Sequence, residues 1–110
     1  MKQGFKSEHW KDANGNPAGG CTYGTGFSVS WQNGPLKQPA LIGHFYQDPN
    51  GAFVEDVLKA VEDRLSFYQT TKFVCEENTL ALQCIKQALK HLESRTKDRE
   101  SRHVEGTHEL

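Results

Sequence analysis

CEENTLALQCIKQALKHLESRTKDRESR, residues 75–102, decides how the rest of the chain must fold. Leu82, Ile85, Leu89 and Leu92 recur at alternating spacings of three and four, and the same phase reaches back through Asn78 to Cys75. One face of a helix presents such a stripe, so the spacing predicts a long helix over this whole stretch. Past Leu92 the pattern turns charged, with Arg95, Arg99 and Arg102 at i, i+4 and i+7, which would line three guanidinium groups along one side. The apolar face requires a partner.

That partner is the segment immediately upstream. After the turn signals of Asp48-Pro49-Asn50-Gly51, residues Phe53, Val54, Val57, Leu58, Val61, Leu65 and Tyr68 again recur at helical spacing. Asn50 has the chemistry of an N-cap, and Glu55 and Asp56 suit the positive end of the helix dipole. The polar Thr70-Thr71-Lys72 leaves room only for a short connection, so helices over 50–69 and 72–102 are expected to fold back as an antiparallel hairpin. At 1.5 Å per residue the periodic stretches 53–69 and 75–102 measure about 25 and 42 Å, and the second should outrun the first by roughly 15 Å. A helix end of that length is seldom stable alone in water, which favours its packing on the N-terminal strands or on another copy of the chain. Asn78 sits in the seam one turn before Leu82, where its amide is expected to bond the hairpin loop or a pairing helix and fix the register.

The N-terminal half reads differently. Residues 1–20 mix charged and turn-forming types, with DANGNPAGG as several turn signals in succession, and are read as an arm in which Phe5 and Trp10 act as anchors. From Cys21 the period changes to two: Phe27, Val29 and Trp31 point one way and Ser28, Ser30 and Gln32 the other, a half-buried strand. Cys21 and Tyr23 belong to a shorter strand before it, with Gly24 and Gly26 allowing a turn or bulge between. Asn33-Gly34 begins a bend that Pro35 widens, and residues 40–46 return as another short strand. The expectation is a single α+β domain over 1–110: the arm, an antiparallel β region over 21–46, the hairpin, and a tail over 103–110.

Composition narrows the function classes. Thirteen basic residues against fourteen acidic ones argue against a bulk electrostatic grip on DNA. No apolar run approaches the roughly 20 residues that span a membrane, and residues 1–12 lack a secretory core, so a soluble intracellular protein is expected. Cys21, Cys75 and Cys84 show neither a disulfide framework nor metal-ligand spacing, and His9, His44, His91, His103 and His108 form no metal-binding pair. No phosphate-cradling loop or dinucleotide fingerprint is present in the right context. No catalytic residue, metal or cofactor is therefore expected.

The remaining candidate is the basic run of the long helix. Lys86, Lys90, His91, Arg95, Arg99 and Arg102 are expected on roughly one side, and guanidinium groups bind phosphates by charge-assisted, bidentate hydrogen bonds. Glu93, Asp98 and Glu100 intersperse the run, so a solvated helix end with Glu93 and Lys97 as an i, i+4 pair is the competing reading. Trp31 and Tyr46, with Phe27 and Trp10, offer stacking surfaces for a base, although the alternation around Trp31 equally explains it as core.

The run CEENTLALQCIKQALKHLESRTKDRE resembles the C-terminal helix of small phage proteins that share an anti-CBASS/anti-Thoeris helical hairpin. The resemblance covers about residues 52–100, and the tail through VEGTH is similar to the ending of related phage proteins. It departs from the family at Glu76, where an Arg is expected, at Gln83-Cys84 in place of Thr-Lys, and at His91 in place of an aromatic. What carries over is the hairpin, with Asn78 and Leu82. The resemblance implies a sponge in the cytoplasm of an infected bacterial host: a homo-oligomer that holds a nucleotide second messenger, a cyclic nucleotide or a cyclic ADP-ribose-type signal, without cleaving it. Ligand contacts are expected at Arg95, Arg99, Arg102, Trp31 and Tyr46. The alternative is a non-enzymatic phage accessory protein that uses the same helix for protein–protein contact.

Overall fold

A computed structural model describes residues 4–34, 37–39, 44–46 and 48–101, with the backbone alone described for 37–39, 44–46 and 99–101. The elements are β1 (Phe5–Lys11), β2 (Pro17–Gly24), β3 (Phe27–Asn33), β4 (Lys37–Pro39), β5 (His44–Tyr46), α1 (Val54–Tyr68) and α2 (Glu76–Ser101). This is the expected α+β order. The chain divides into two units, one built on the strands up to Phe53 and one made of the helical segment from Val54. Among the described residues no helix is long and apolar enough to cross a membrane.

In the first unit, β1, β2 and β3 form an antiparallel meander in that order. The reading of residues 1–20 as an arm is corrected here, because Phe5–Lys11 is a strand. It carries no apolar period, and all seven of its residues are exposed. Its order comes from pairing with β2, which includes a Ser7–Thr22 hydroxyl contact of 2.9 Å; a strand made by its neighbour leaves little trace in its own composition. The turn-rich DANGN is the loop of this first hairpin, where the Asp12 carboxylate accepts the backbone N–H groups of Asn14 and Asn16 at 2.9 and 3.0 Å. The second hairpin turns at Thr25-Gly26, as the glycines predicted, with Gly26 at φ +86°.

Gly20 is required by close approach. Gly20 lies at φ +138°, and a Cβ there would strike the Glu8 carbonyl oxygen. β3 shows the predicted alternation over residues 28–31, with Val29 and Trp31 half-buried and Ser28 and Ser30 exposed, but Phe27, expected on the inner side, is 46% exposed, and Gln32, expected outside, is half-buried. The Trp31 indole N–H donates to Thr22 Oγ1 at 2.9 Å, which satisfies the one polar atom of that ring.

The outer edge of β3 is covered by the chain itself. Ala52 N–H donates to Ser30 O at 2.7 Å and Gln32 N–H donates to Ala52 O at 3.0 Å, a short parallel bridge. Asn50 secures it: its Oδ1 accepts Asn33 N–H at 2.7 Å and its Nδ2 donates to Asn33 O at 2.9 Å. Gln32 Oε1 in turn accepts the N–H groups of Asn50 and Gly51, at 2.9 and 3.2 Å. The expectation that Asn50 caps a helix is therefore corrected. Its amide completes a sheet edge, and α1 starts four residues later. β4 and β5 pair as a separate two-stranded ladder, so the return strand foreseen over 40–46 is realised at His44–Tyr46, while 40–43 lie outside the described residues.

In the second unit, α1 and α2 pack as an antiparallel hairpin. Their ends establish the direction: Gln69, just past α1, bonds Thr79 Oγ1 in the first turns of α2 at 2.8 Å, and Arg95 near the other end of α2 reaches Glu55 in the first turn of α1 at 3.3 Å. Asn78, Leu82, Ile85, Leu89 and Leu92 are all half-buried along the predicted seam, joined by Ala81, Ala88 and Thr96. The loop bond expected of Asn78 is made by its neighbour Thr79. The same Gln69 amide also donates to Cys75 O at 3.0 Å and accepts Cys75 N–H at 3.2 Å, so one side chain closes the loop. The helix expected from Cys75 begins at Glu76, with Cys75 itself held in the loop by those bonds. Since Arg95 stands opposite Glu55, α2 runs six residues, or about 9 Å, past the start of α1. α2 has 26 residues against 15 in α1, an excess of eleven residues or about 16 Å, as the spacing predicted; the rest of that excess lies at the loop end, where Gln69 meets Thr79.

Candidate functional site

Helix geometry divides the basic run. At about 100° per residue, Arg95 and Arg99 fall within a ~40° arc on one flank of the seam, whereas Lys86 and Lys90 fall on the opposite flank, some ~140–180° from Arg95. The expectation that all six basic positions share one side is thus corrected. Lys86 and Lys90 are exposed, and His91, also exposed, makes an i, i+4 contact with Gln87 of 3.2 Å.

Arg95 is the described member of the arginine flank. Its side chain is 59% exposed and its guanidinium meets the Glu55 carboxylate at 3.3 Å. An ion pair this open to water contributes under about 1 kcal/mol, so Glu55 orients Arg95 without sequestering it. The guanidinium keeps donors available for an anion, which would compete with a carboxylate of the same valence. Arg99 lies one turn further along the helix backbone, about 6 Å in axial rise. The side chain of Arg99, and Arg102 altogether, lie outside the described residues. Lys97 bonds Glu93 at 3.2 Å, the i, i+4 pair foreseen in the sequence.

Trp31 and Tyr46 belong to the first unit. Trp31 is half-buried against β2 with its N–H engaged, and Tyr46 is opposite Lys37 in the two-stranded ladder. The arginines and these aromatics are thus carried by different units. Elsewhere in the first unit, partial burial, the nearby Glu8 charge and a 3.7 Å hydrogen bond to Glu8 Oε2 hold the Cys21 thiol above its ordinary value, which suits a thiol and not a thiolate nucleophile. Among the described residues no group of three or more His, Cys, Asp or Glu side chains is placed to hold a metal ion.

Two features of the hairpin were missed in the sequence. The first is Glu55 as the partner of Arg95; its place in the first turn of α1 was legible, but only the antiparallel register brings it to α2. The second is the incomplete coverage of the apolar arc on α1. Val57, Leu58, Leu65 and Tyr68 are half-buried, yet Val54 and Val61, within the same arc, remain 51% and 43% exposed. At about 100° per residue these two lie in the middle of the arc, between Val57 and Tyr68 on one side and Leu58 and Leu65 on the other, so even its centre is only partly covered by the partner helix. At the loop end, Phe67, Phe73 and Val74 are exposed, with the Arg64 guanidinium stacked 5.2 Å from the Phe67 ring centroid and 5.0 Å from that of Tyr68.

Comparison with known proteins identifies this hairpin. The family profile described as "Acb2/Tad1, hairpin domain" matches residues 29–97. The chain is also 38% identical over 82 residues to a Bacillus phage SBSphiJ7 protein named Thoeris anti-defense 1, an alignment that takes in 74% of this chain and 52% of that relative. The chain spans about half the length of the curated relative it matches.

Proposed function

We propose, because the chain belongs to the Acb2/Tad1 hairpin-domain family, that it is a phage anti-defence protein acting as a sponge for a nucleotide immune signal. The signal is a cyclic nucleotide or a cyclic ADP-ribose-type molecule, held without cleavage in the cytoplasm of the infected host. The observation that carries this reading is Arg95, oriented by Glu55 yet 59% exposed, at the head of an arginine run on one flank of α2. Phosphates of the signal bind Arg95, Arg99 and Arg102 through charge-assisted bonds, and Trp31 and Tyr46 offer stacking surfaces for its bases. The chain acts as a homo-oligomer. Support comes from the partly covered apolar arc of α1, where Val54 and Val61 remain exposed and a second copy of the hairpin would cover them.

The test is to incubate the purified chain with candidate signals, remove the excess, and heat the protein. Recovery of the intact signal is the expected result; no bound signal, or a degraded one, sinks the proposal. The exposed Val54 and Val61 of α1 also favour a second reading, an accessory protein that acts by protein–protein contact. Replacing Arg95 and Arg99 by Glu separates the two, because a sponge then loses the nucleotide and keeps its oligomer, whereas an interaction protein loses its partner with no nucleotide effect. Mass in solution, measured with and without the signal, reports the oligomer directly.

A further inference from the structure

Three of the chain's five asparagines, Asn14, Asn33 and Asn50, are followed by glycine. In that dipeptide the amide nitrogen of the glycine can attack the asparagine side chain with little steric hindrance, because glycine has no Cβ. The three share one local sequence and sit in three different environments. At Asn50 both side-chain atoms are bonded to Asn33, and the attacking nitrogen, that of Gly51, donates to Gln32 Oε1. Gly51 is also pressed against β3, where even a Cβ would meet the Trp31 carbonyl at 2.5 Å. Asn33 is a strand residue paired with Ala18, its N–H and C=O both gripped by Asn50, and the Gln32 amide donates to both Asn33 O and Gly34 O at 3.4 and 3.2 Å. Asn14 is unlike either. It is exposed at the tip of the first hairpin, none of the described residues holds its side-chain amide, and nothing lies within 4 Å of where a Gly15 Cβ would be. The Gly15 nitrogen makes a single surface bond, to Asp12 O at 3.0 Å.

We propose that Asn14-Gly15 is a self-modification site of the folded protein, where Asn14 converts to aspartate and isoaspartate, and that the Asn33–Asn50 clasp withholds the other two sites. Hydroxide removes the Gly15 amide proton and the nitrogen attacks Asn14 Cγ. The bond from Cγ to the side-chain nitrogen then breaks, that nitrogen leaves as ammonia after taking a proton from water, and a five-membered imide remains. Water adds to either imide carbonyl and opens the ring to aspartate or isoaspartate. One water is consumed and one ammonia released for each conversion, with no change of oxidation state. The product carries one more negative charge, taking the net charge from −1 to −2.

The test is a time course of the full chain in mildly alkaline buffer made with heavy-oxygen water, followed by peptide mapping. Label should enter the Asn14 peptide more than about tenfold faster than the Asn33 or Asn50 peptides, because the latter two must first open several bonds. In urea the three rates should converge, since the protection belongs to the fold. A Gln32→Ala variant, which frees the Gly51 nitrogen and removes the Gln32 bonds to Asn33 O and Gly34 O, should speed Asn50 and Asn33 while leaving Asn14 unchanged if it folds, and the urea arm serves if it does not. The proposal is overturned if Asn14 stays unlabelled, if Asn33 or Asn50 is labelled as early in the folded chain, or if the rate differences persist in urea.

Discussion

Removing the Asn50 side chain tests how the first unit holds its outer edge. Asn50→Ala deletes two hydrogen bonds, from Asn33 N–H at 2.7 Å and to Asn33 O at 2.9 Å. Each is worth about 0.5–1.5 kcal/mol net, and because these groups are exposed, water recovers part of the loss, so the cost is about 1–2 kcal/mol. With a urea m-value near ~1 kcal/mol/M, the unfolding midpoint should fall by roughly 1–2 M. Both tryptophans, Trp10 and Trp31, lie in this unit, so their fluorescence reports its unfolding. Asn50→Asp sharpens the test. The ionised carboxylate keeps the acceptor for Asn33 N–H but faces Asn33 O with no proton to give, whereas the protonated carboxyl makes both bonds. The folded state therefore favours the protonated form and raises that pKa above its unfolded value near ~3.9. A raised folded pKa contributes stability that is fully present below the unfolded pKa and lost as pH rises through the folded one. The deficit of Asn50→Asp relative to the parent should accordingly shrink in acid and grow toward neutral pH, while that of Asn50→Ala stays level. An unchanged midpoint for Asn50→Ala, or equal deficits for the two variants at every pH, would refute the clasp.

Other substitutions probe separate layers of the argument. Gly20→Ala places a Cβ against the Glu8 carbonyl at φ +138°, so a loss of at least about 2 kcal/mol in the urea midpoint of the first unit is expected. Leu89→Ala removes a half-buried seam residue of the hairpin and should cost about 1–3 kcal/mol, less than a fully buried leucine, measured as a drop in helical circular dichroism on heating. Arg95→Gln breaks an exposed ion pair and should change thermal stability by under about 1 kcal/mol while weakening nucleotide binding by tenfold or more in calorimetry; a large stability loss with intact binding would make Arg95 structural.

What residues 75–102 determined alone was a helix and its seam, and with residues 53–68 a hairpin, because a spacing of three and four admits one pairing of faces and a short polar loop admits one direction. Helical periodicity is local, so it is legible. The strand Phe5–Lys11 was not legible, since its order depends on a neighbour more than ten residues away, and Asn50 was misread for the same reason: the same amide caps a helix or completes a sheet edge according to what lies beside it. The arginines of the candidate site could be placed on one helix from spacing, but the separation of Lys86 and Lys90 from Arg95 follows only when the turn angle is carried across nine residues, and the pairing of Arg95 with Glu55 only from the tertiary register. Sequence determines what repeats within a few residues; tertiary structure decides which distant polar groups meet, because a hydrogen bond or an ion pair forms with whatever the fold brings within about 3 Å.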